Sequence, residues 1–329
     1  MKQVSWFSKK QILLTALLVV SVSGIGHAST YTSIATSGTA WDGAWSPSSP
    51  VSKAVDGSVN TYTFFGGNSY VGNDKLVGLI ADSNTTTVRL VSDGAAISFD
   101  NWNVGGSNSV VYGKSVELGD NISFNNTTGV AIIAIGGVVT VGNNVTVNSS
   151  TNLTYGHYGA GISIIGKGGK STFGENFTAS NNFFRDSTNL SPFIGGGAIG
   201  MRYTMDLEFA NNAVFENNKV QSAAGLSVAM GGAISGPGNE IDVNGLNNIT
   251  FNGSASFLNN SAVSTGAGSF ARGGAIATVR ASGTPLKLAT VTFNSLGGTV
   301  NLTGNGVQSA GSSGGGAIYI GDGEIYRSR

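Results

Sequence analysis

Gly231-Gly232-Ala233-Ile234 returns after 42 residues as Gly273-Gly274-Ala275-Ile276, and after another 42 as Gly315-Gly316-Ala317-Ile318. An earlier copy, Gly196-Gly197-Ala198-Ile199, stands 35 residues before the first of these. A fixed phrase at a fixed interval marks a solenoid, in which each repeat covers its apolar face with the next. Between the copies, apolar and polar residues alternate in short bursts, as in Thr87-Val88-Arg89-Leu90 and Ile97-Ser98-Phe99, punctuated by Gly and Asn. That is the period of strands joined by turns.

Six blocks can be laid over one another. Each opens on a strand ending at Leu118, Val141, Phe173, Phe209, Phe251 or Phe293, at intervals of 23, 32, 36, 42 and 42 residues. In the first four a turn follows: Gly119-Asp120-Asn121, Gly142-Asn143-Asn144, Gly174-Glu175-Asn176 and Ala210-Asn211-Asn212. A second strand ends in the pairs Asn125/Asn126, Asn181/Asn182, Asn217/Asn218 and Asn259/Asn260. The third strand is the GGAI phrase, or degenerate forms at Gly136-Gly137-Val138-Val139 and Gly159-Ala160-Gly161-Ile162.

The shortest interval, 23 residues, holds three short strands and three turns, one coil of a right-handed parallel β-helix. The expected fold is therefore all-β, a solenoid of three-strand coils with an N-terminal cap. Longer blocks read as the same coil with a loop growing from the corner before the phrase, at 219–230 and 261–272. Two 21-residue coils per 42 residues is the alternative. In a coil, the paired glycines permit a positive φ and close backbone approach at a corner. One of the alanine and isoleucine then points inward. Stacking places Ile199, Ile234, Ile276 and Ile318 in one column, the phenylalanines in another, and asparagines in amide ladders.

Composition fits this picture. Charged residues make up 10% of the 329, 51 are glycine and none is cysteine. Disulfides, thiolate metal sites and thiol catalysis are excluded together. The net charge of zero gives no footprint for nucleic acid. Residues 1–28 read as a signal peptide: Lys2, Lys9 and Lys10, an apolar run from Ile12 to Val22, and Gly26-His27-Ala28 before the cleavage point. Its removal takes three of the 17 basic residues, so 14 face 17 acidic ones, a net charge of −3. Residues 29–85 do not repeat and hold Trp41, Trp45, Tyr62, Phe64 and Phe65; they read as the cap of the first coil, or as an aromatic sugar platform. The β-helix then runs over 86–329.

The phrase GGA-plus-aliphatic occurs together with FxxN, at Phe173 and Asn176, Phe209 and Asn212, Phe215 and Asn218, and Phe257 and Asn260. This combination resembles the passenger domains of autotransporters of the chlamydial polymorphic outer membrane protein type. The resemblance covers roughly 116–329 and implies a surface-exposed β-helix that adheres to host cells, exported through a C-terminal transmembrane β-barrel. A host-cell surface protein or glycan is the implied partner. Here the sequence ends at Arg329, just after Glu324-Ile325-Tyr326 opens another coil, with no barrel-like run of alternating segments. The expectation is a C-terminally truncated passenger, or a translocator barrel on a separate chain. Its location would be the cell surface, the outer membrane or the medium, or the periplasm if the product stops there.

The rival readings are a β-helix polysaccharide-degrading enzyme and a structural surface filament. An enzyme of that kind needs carboxylates that meet, often with calcium. Asp206 with Glu208, and Glu240 with Asp242, are spaced to share a strand face, but their positions within the blocks differ. Gly72-Asn73-Asp74-Lys75-Leu76 resembles a single calcium nonapeptide without a stacking partner and reads as a turn. His157 is the only histidine beyond the signal segment and reads as a turn residue. No catalytic residue, metal or cofactor is implied. The recognition candidates are Phe183, Phe184 and Arg185, read as part of a loop running from Asn182 to Ile194.

Overall fold

The computed structural model describes Ser29–Ser33, Trp45–Ser46, Val59–Phe64, Ser69–Val71 and Ile80–Ala81. It then describes 87–327 except 93, 105–108, 154–157, 167, 187–192, 204, 226, 237–247, 280–288, 295–297 and 322–323. Residues 1–28, Gly72 to Leu76, His157, Glu240 and Asp242 lie outside the described residues. The chain is a parallel β-helix. Among the described residues a single strand pair is antiparallel, Ser29–Ser33 with Trp45–Ser46.

Register settles how the blocks become coils. Leu118 pairs with Val141, Val141 with Phe173, Phe173 with Phe209, Phe209 with Phe251 and Phe251 with Phe293. Each block is thus one coil, and the two-coil alternative is excluded. A complete coil consists of β1 (Asp206–Phe209), β2 (Ala213–Glu216), β3 (Lys219–Ser222), β4 (Val228–Met230) and β5 (Ile234–Ser235). Stacking each strand on its equivalents builds a large sheet from the β1 and β5 positions and three further sheets from the β2, β3 and β4 positions.

The coil therefore has five strands where three were expected. Residues 219–230, expected as a loop, are β3, a turn and β4, and their counterparts Ser261–Ser264 and Phe270–Arg272 repeat them. The physical reason is a second compartment. The main core lies among the β1, β2 and β5 sheets, whereas Phe184, Ile194, Val220, Ala229 and Ala262 form a separate, narrow core between the β3 and β4 sheets. Besides Phe184, Ile194 and Val220, its inward positions carry alanine and serine (Ala229, Ala262, Ser222 and Ser264), so these strands have the composition of a loop. The insertion that does vary follows β5: the next β1 position is reached through 202–205 in one coil and through 236–247 and 280–289 in the next two.

The phrase itself turns the chain between β4 and β5. Its first glycine takes a positive φ in every copy, 75° at Gly196, 59° at Gly231, 58° at Gly273 and 63° at Gly315. A Cβ on the second, Gly232, would collide with the Gly274 carbonyl and the Ser261 amide of the next coil. Ile199, Ile234, Ile276 and Ile318 stand in register as expected. Ala198, Ala233 and Ala275 are buried as well, where only one residue of each Ala-Ile pair was expected inside. The β4 sheet folds over the strand so closely that a Cβ on Gly195 would strike Ser235. One degenerate copy also moves: Ile132 pairs with Ile162, so the phrase of that coil is Gly129-Val130-Ala131-Ile132. Gly136 and Gly137 instead lie at an irregularity where the β5 position runs directly into the next β1 position.

Two aromatic columns fill the main core. Phe173, Phe209, Phe251 and Phe293 stack at centroid distances of 4.5, 4.8 and 5.2 Å, and Phe215 stacks on Phe257 at 4.9 Å. The columns meet edge to face, with Phe209 and Phe215 inclined at 86°. Such pairs add about 0.5–1.5 kcal/mol beyond their buried area. Tyr62 and Phe64 belong to this core rather than to an exposed platform, Phe64 meeting Tyr70 and Phe99 edge-on. Ser29–Ser33 lies parallel beside Val59–Phe64, and that strand beside Thr87–Ser92, so the large sheet already includes strands from 29–85.

The asparagines form ladders of two kinds. Asn121, Asn144, Asn176 and Asn212 hold positive φ at an exposed corner, and from Asn144 onward each donates its side-chain amide to the one before at 2.8–3.0 Å. Asn182, Asn218 and Asn260 are fully buried, and Asn305 continues their row. The Asn218 side-chain oxygen accepts both the backbone and the side-chain N–H of Asn182, while its amide donates to Asn260 and to the Ala179 carbonyl. The FxxN motif thus covers two geometries. Asn212 is a left-handed corner, whereas Asn218 and Asn260 are buried links that follow the left-handed Asn217 and Asn259.

Asn218→Ala removes the shared acceptor and donor, and denaturant unfolding should report a loss of about 1–3 kcal/mol for each buried group left unpaired. Asn212→Gly keeps the left-handed corner and should change stability little. Gly232→Ala should abolish soluble folded protein, whereas Gly225→Ala, whose new Cβ would meet nothing closer than the Ala267 carbonyl at 3.7 Å, should be tolerated.

Candidate functional site

A parallel sheet sends alternate side chains to opposite faces, so each β3 strand offers two outward positions. In successive coils these carry Phe183 and Arg185, then Lys219 and Gln221, then Ser261 and Val263, then Gly306 and Gln308. Phe183–Asp186 is a strand, which corrects the expectation that Phe183, Phe184 and Arg185 lie on a loop. The correction divides the three. Phe184 is buried in the second compartment and available to no partner, while Phe183 is half-buried and Arg185 exposed on the outer face. Alternation forces that division once the segment is extended.

Two residues absent from the sequence-derived candidates join them. Lys219 lies directly opposite Phe183, its ammonium 5.5 Å from the ring centroid, and Gln221 lies opposite Arg185. The signal was present: 36 residues separate both pairs, as they separate Phe173 from Phe209. Arg185 and Lys219 make no ion pair among the described residues. The β3 sheet's one acid among the described residues, Asp186, is fully buried on the opposite side of its strand.

On the large sheet two cations meet acids of neighbouring coils, while Lys114 is exposed without an ion pair among the described residues. Arg89 pairs in register with Glu117 and forms an ion pair with it. Lys170 bonds Glu208 on the next coil, whose other oxygen accepts the Asn252 amide at 2.8 Å. Asp206 accepts the Asn248 backbone N–H at 3.0 Å. Asp206 and Glu208 do share an outward face, and partners from adjacent coils hold both. No group of three or more potential metal ligands occurs among the described residues.

A further aromatic and cationic group lies where the β4 sheet meets the strands of the β5 position. The Arg272 guanidinium lies 5.9 Å from the centroid of the exposed Phe270 and 4.9 Å from that of Tyr319. It faces away from the β3 surface, across the second compartment.

In comparisons with known proteins, no family model, no curated protein and no solved structure matches the chain.

The Lys170 ammonium, hydrogen-bonded to Glu208, holds that carboxyl below the usual carboxylate range, with the Asn252 amide acting in the same direction and burial opposing them. A depressed carboxylate stabilises the fold above its unfolded pKa and loses that contribution as pH falls through its folded value. Glu208→Gln should therefore lower stability near neutrality and flatten the acid limb of a stability-versus-pH profile. The effect should stay below about 1 kcal/mol, because both partners are solvent-accessible.

Proposed function

We propose that the chain is an exported surface protein of the autotransporter-passenger kind whose β-helix presents an adhesive face to host cells or other surfaces. The observation that carries this reading is the contrast between inward and outward positions of the β3 sheet. Inward residues are Phe184, Val220, Ala262 and Val307 at one position and Asp186, Ser222, Ser264 and Ser309 at the other, so the core position stays apolar from coil to coil. Outward ones change from aromatic and cationic to hydroxyl and amide, with unpaired cations held on a rigid sheet. Aromatic and arginine side chains on a rigid scaffold are the groups that dominate contact energetics. The GGAI and FxxN repeats and the signal-like first 28 residues support export and display.

Purified protein should bind host cells saturably, and the double variant Phe183→Ala/Arg185→Ala should lose most of that binding while unfolding at the wild-type temperature. Equal binding by wild type and variant would place adhesion elsewhere, and no binding at all would count against the reading.

A further inference from the structure

We propose that the outer face of the β3 sheet binds an extended acidic polysaccharide, one carrying carboxylate or sulfate groups along its length. This rests on the adhesive reading and names the chemistry of its partner. The first ground is charge. Arg89 and Lys170 on the large sheet meet acids on neighbouring coils, whereas Arg185 and Lys219 meet none, and the β3 sheet directs no described acid outward. Two adjacent cations without internal counterions favour an anionic ligand.

The second ground is arrangement. Arg185 and Lys219 lie diagonally on adjacent parallel strands, two residues apart along the strand and one strand spacing across. One row continues from Lys219 to Ser261, and the other from Arg185 through Gln221 and Val263 to Gln308. Strands repeat at about 4.8 Å. The face therefore offers two adjacent cations, with Thr151 on the strand before them and hydroxyl and amide groups beyond them, along the axis of the stack. A linear glycan presents acids and hydroxyls along one direction in the same way. Arg185 supplies a planar fork suited to carboxylate or sulfate, and Lys219 a point charge steadied over the Phe183 ring.

The test measures binding of the purified chain to heparin and to polygalacturonate, with neutral dextran as control, over a range of salt concentrations. Binding to at least one acidic polymer and not to dextran is expected. Arg185→Gln/Lys219→Gln should weaken it about tenfold or more and flatten its salt dependence. Lys114→Gln removes an exposed, unpaired cation from the large sheet and should leave binding unchanged. Thermal unfolding of each variant verifies the fold. No binding to either polymer, full binding by the double variant, or an equal loss in the Lys114 variant would overturn the inference. Cell attachment by the same variants separates the two proposals. Attachment that needs Arg185 and Lys219 without any glycan binding would refute the polysaccharide and leave adhesion standing. Glycan binding without attachment would do the reverse.

Discussion

In-register parallel stacking is the constraint on which the rest of this structure depends. Each strand bonds to its equivalents one coil before and after, so every side chain lies beside the same position of its neighbours. Apolar residues profit by forming columns, and ring contacts near 5 Å follow from the strand spacing. Charged residues cannot repeat at one buried position, since like charges would stack. Asparagine can, because its amide carries both donor and acceptor. The row from Asn182 to Asn305 uses that property to bind the end of β2 in each coil to the next.

The same constraint explains how a coil grows from 23 to 42 residues without disturbing its neighbours. Added chain must either stack on added chain or leave the stack altogether. Residues between the buried asparagine and the phrase take the first course, forming two more sheets and a narrow compartment of their own. Residues between β5 and the next β1 instead differ in number from coil to coil, four at 202–205 and twelve at 236–247. The phrase separates the two growth points. Its first glycine reverses the chain, and its second admits the next coil's backbone at a distance that any Cβ would obstruct.

The candidate contact residues follow from these divisions. A side chain reaches a partner only from an outward row, and neighbours in that row come from different blocks. Phe183 and Lys219 are 36 residues apart in sequence and opposite in space. Phe183 and Phe184 are adjacent in sequence and face opposite ways. Reading 182–194 as one loop treated adjacency as proximity, which holds for a loop tip and fails for a strand.

Taken alone, the sequence determined the register of the strands that open the blocks. The intervals of 23, 32, 36, 42 and 42 residues reappear as strand partners, because identical side chains gain most when they stack. It also determined the isoleucine and phenylalanine columns and the asparagine ladders, whose residue types are restricted by what each position touches. Only the tertiary structure decided that Ser- and Ala-rich stretches such as 261–272 are strands. Their side chains are small because two sheets close on a slot, and small polar residues carry the same composition in a loop. It likewise decided which half of Phe183-Phe184-Arg185 faces outward and that Lys219 joins it. Facing depends on the pleat of one strand against its partners, and a block read by itself does not contain those partners.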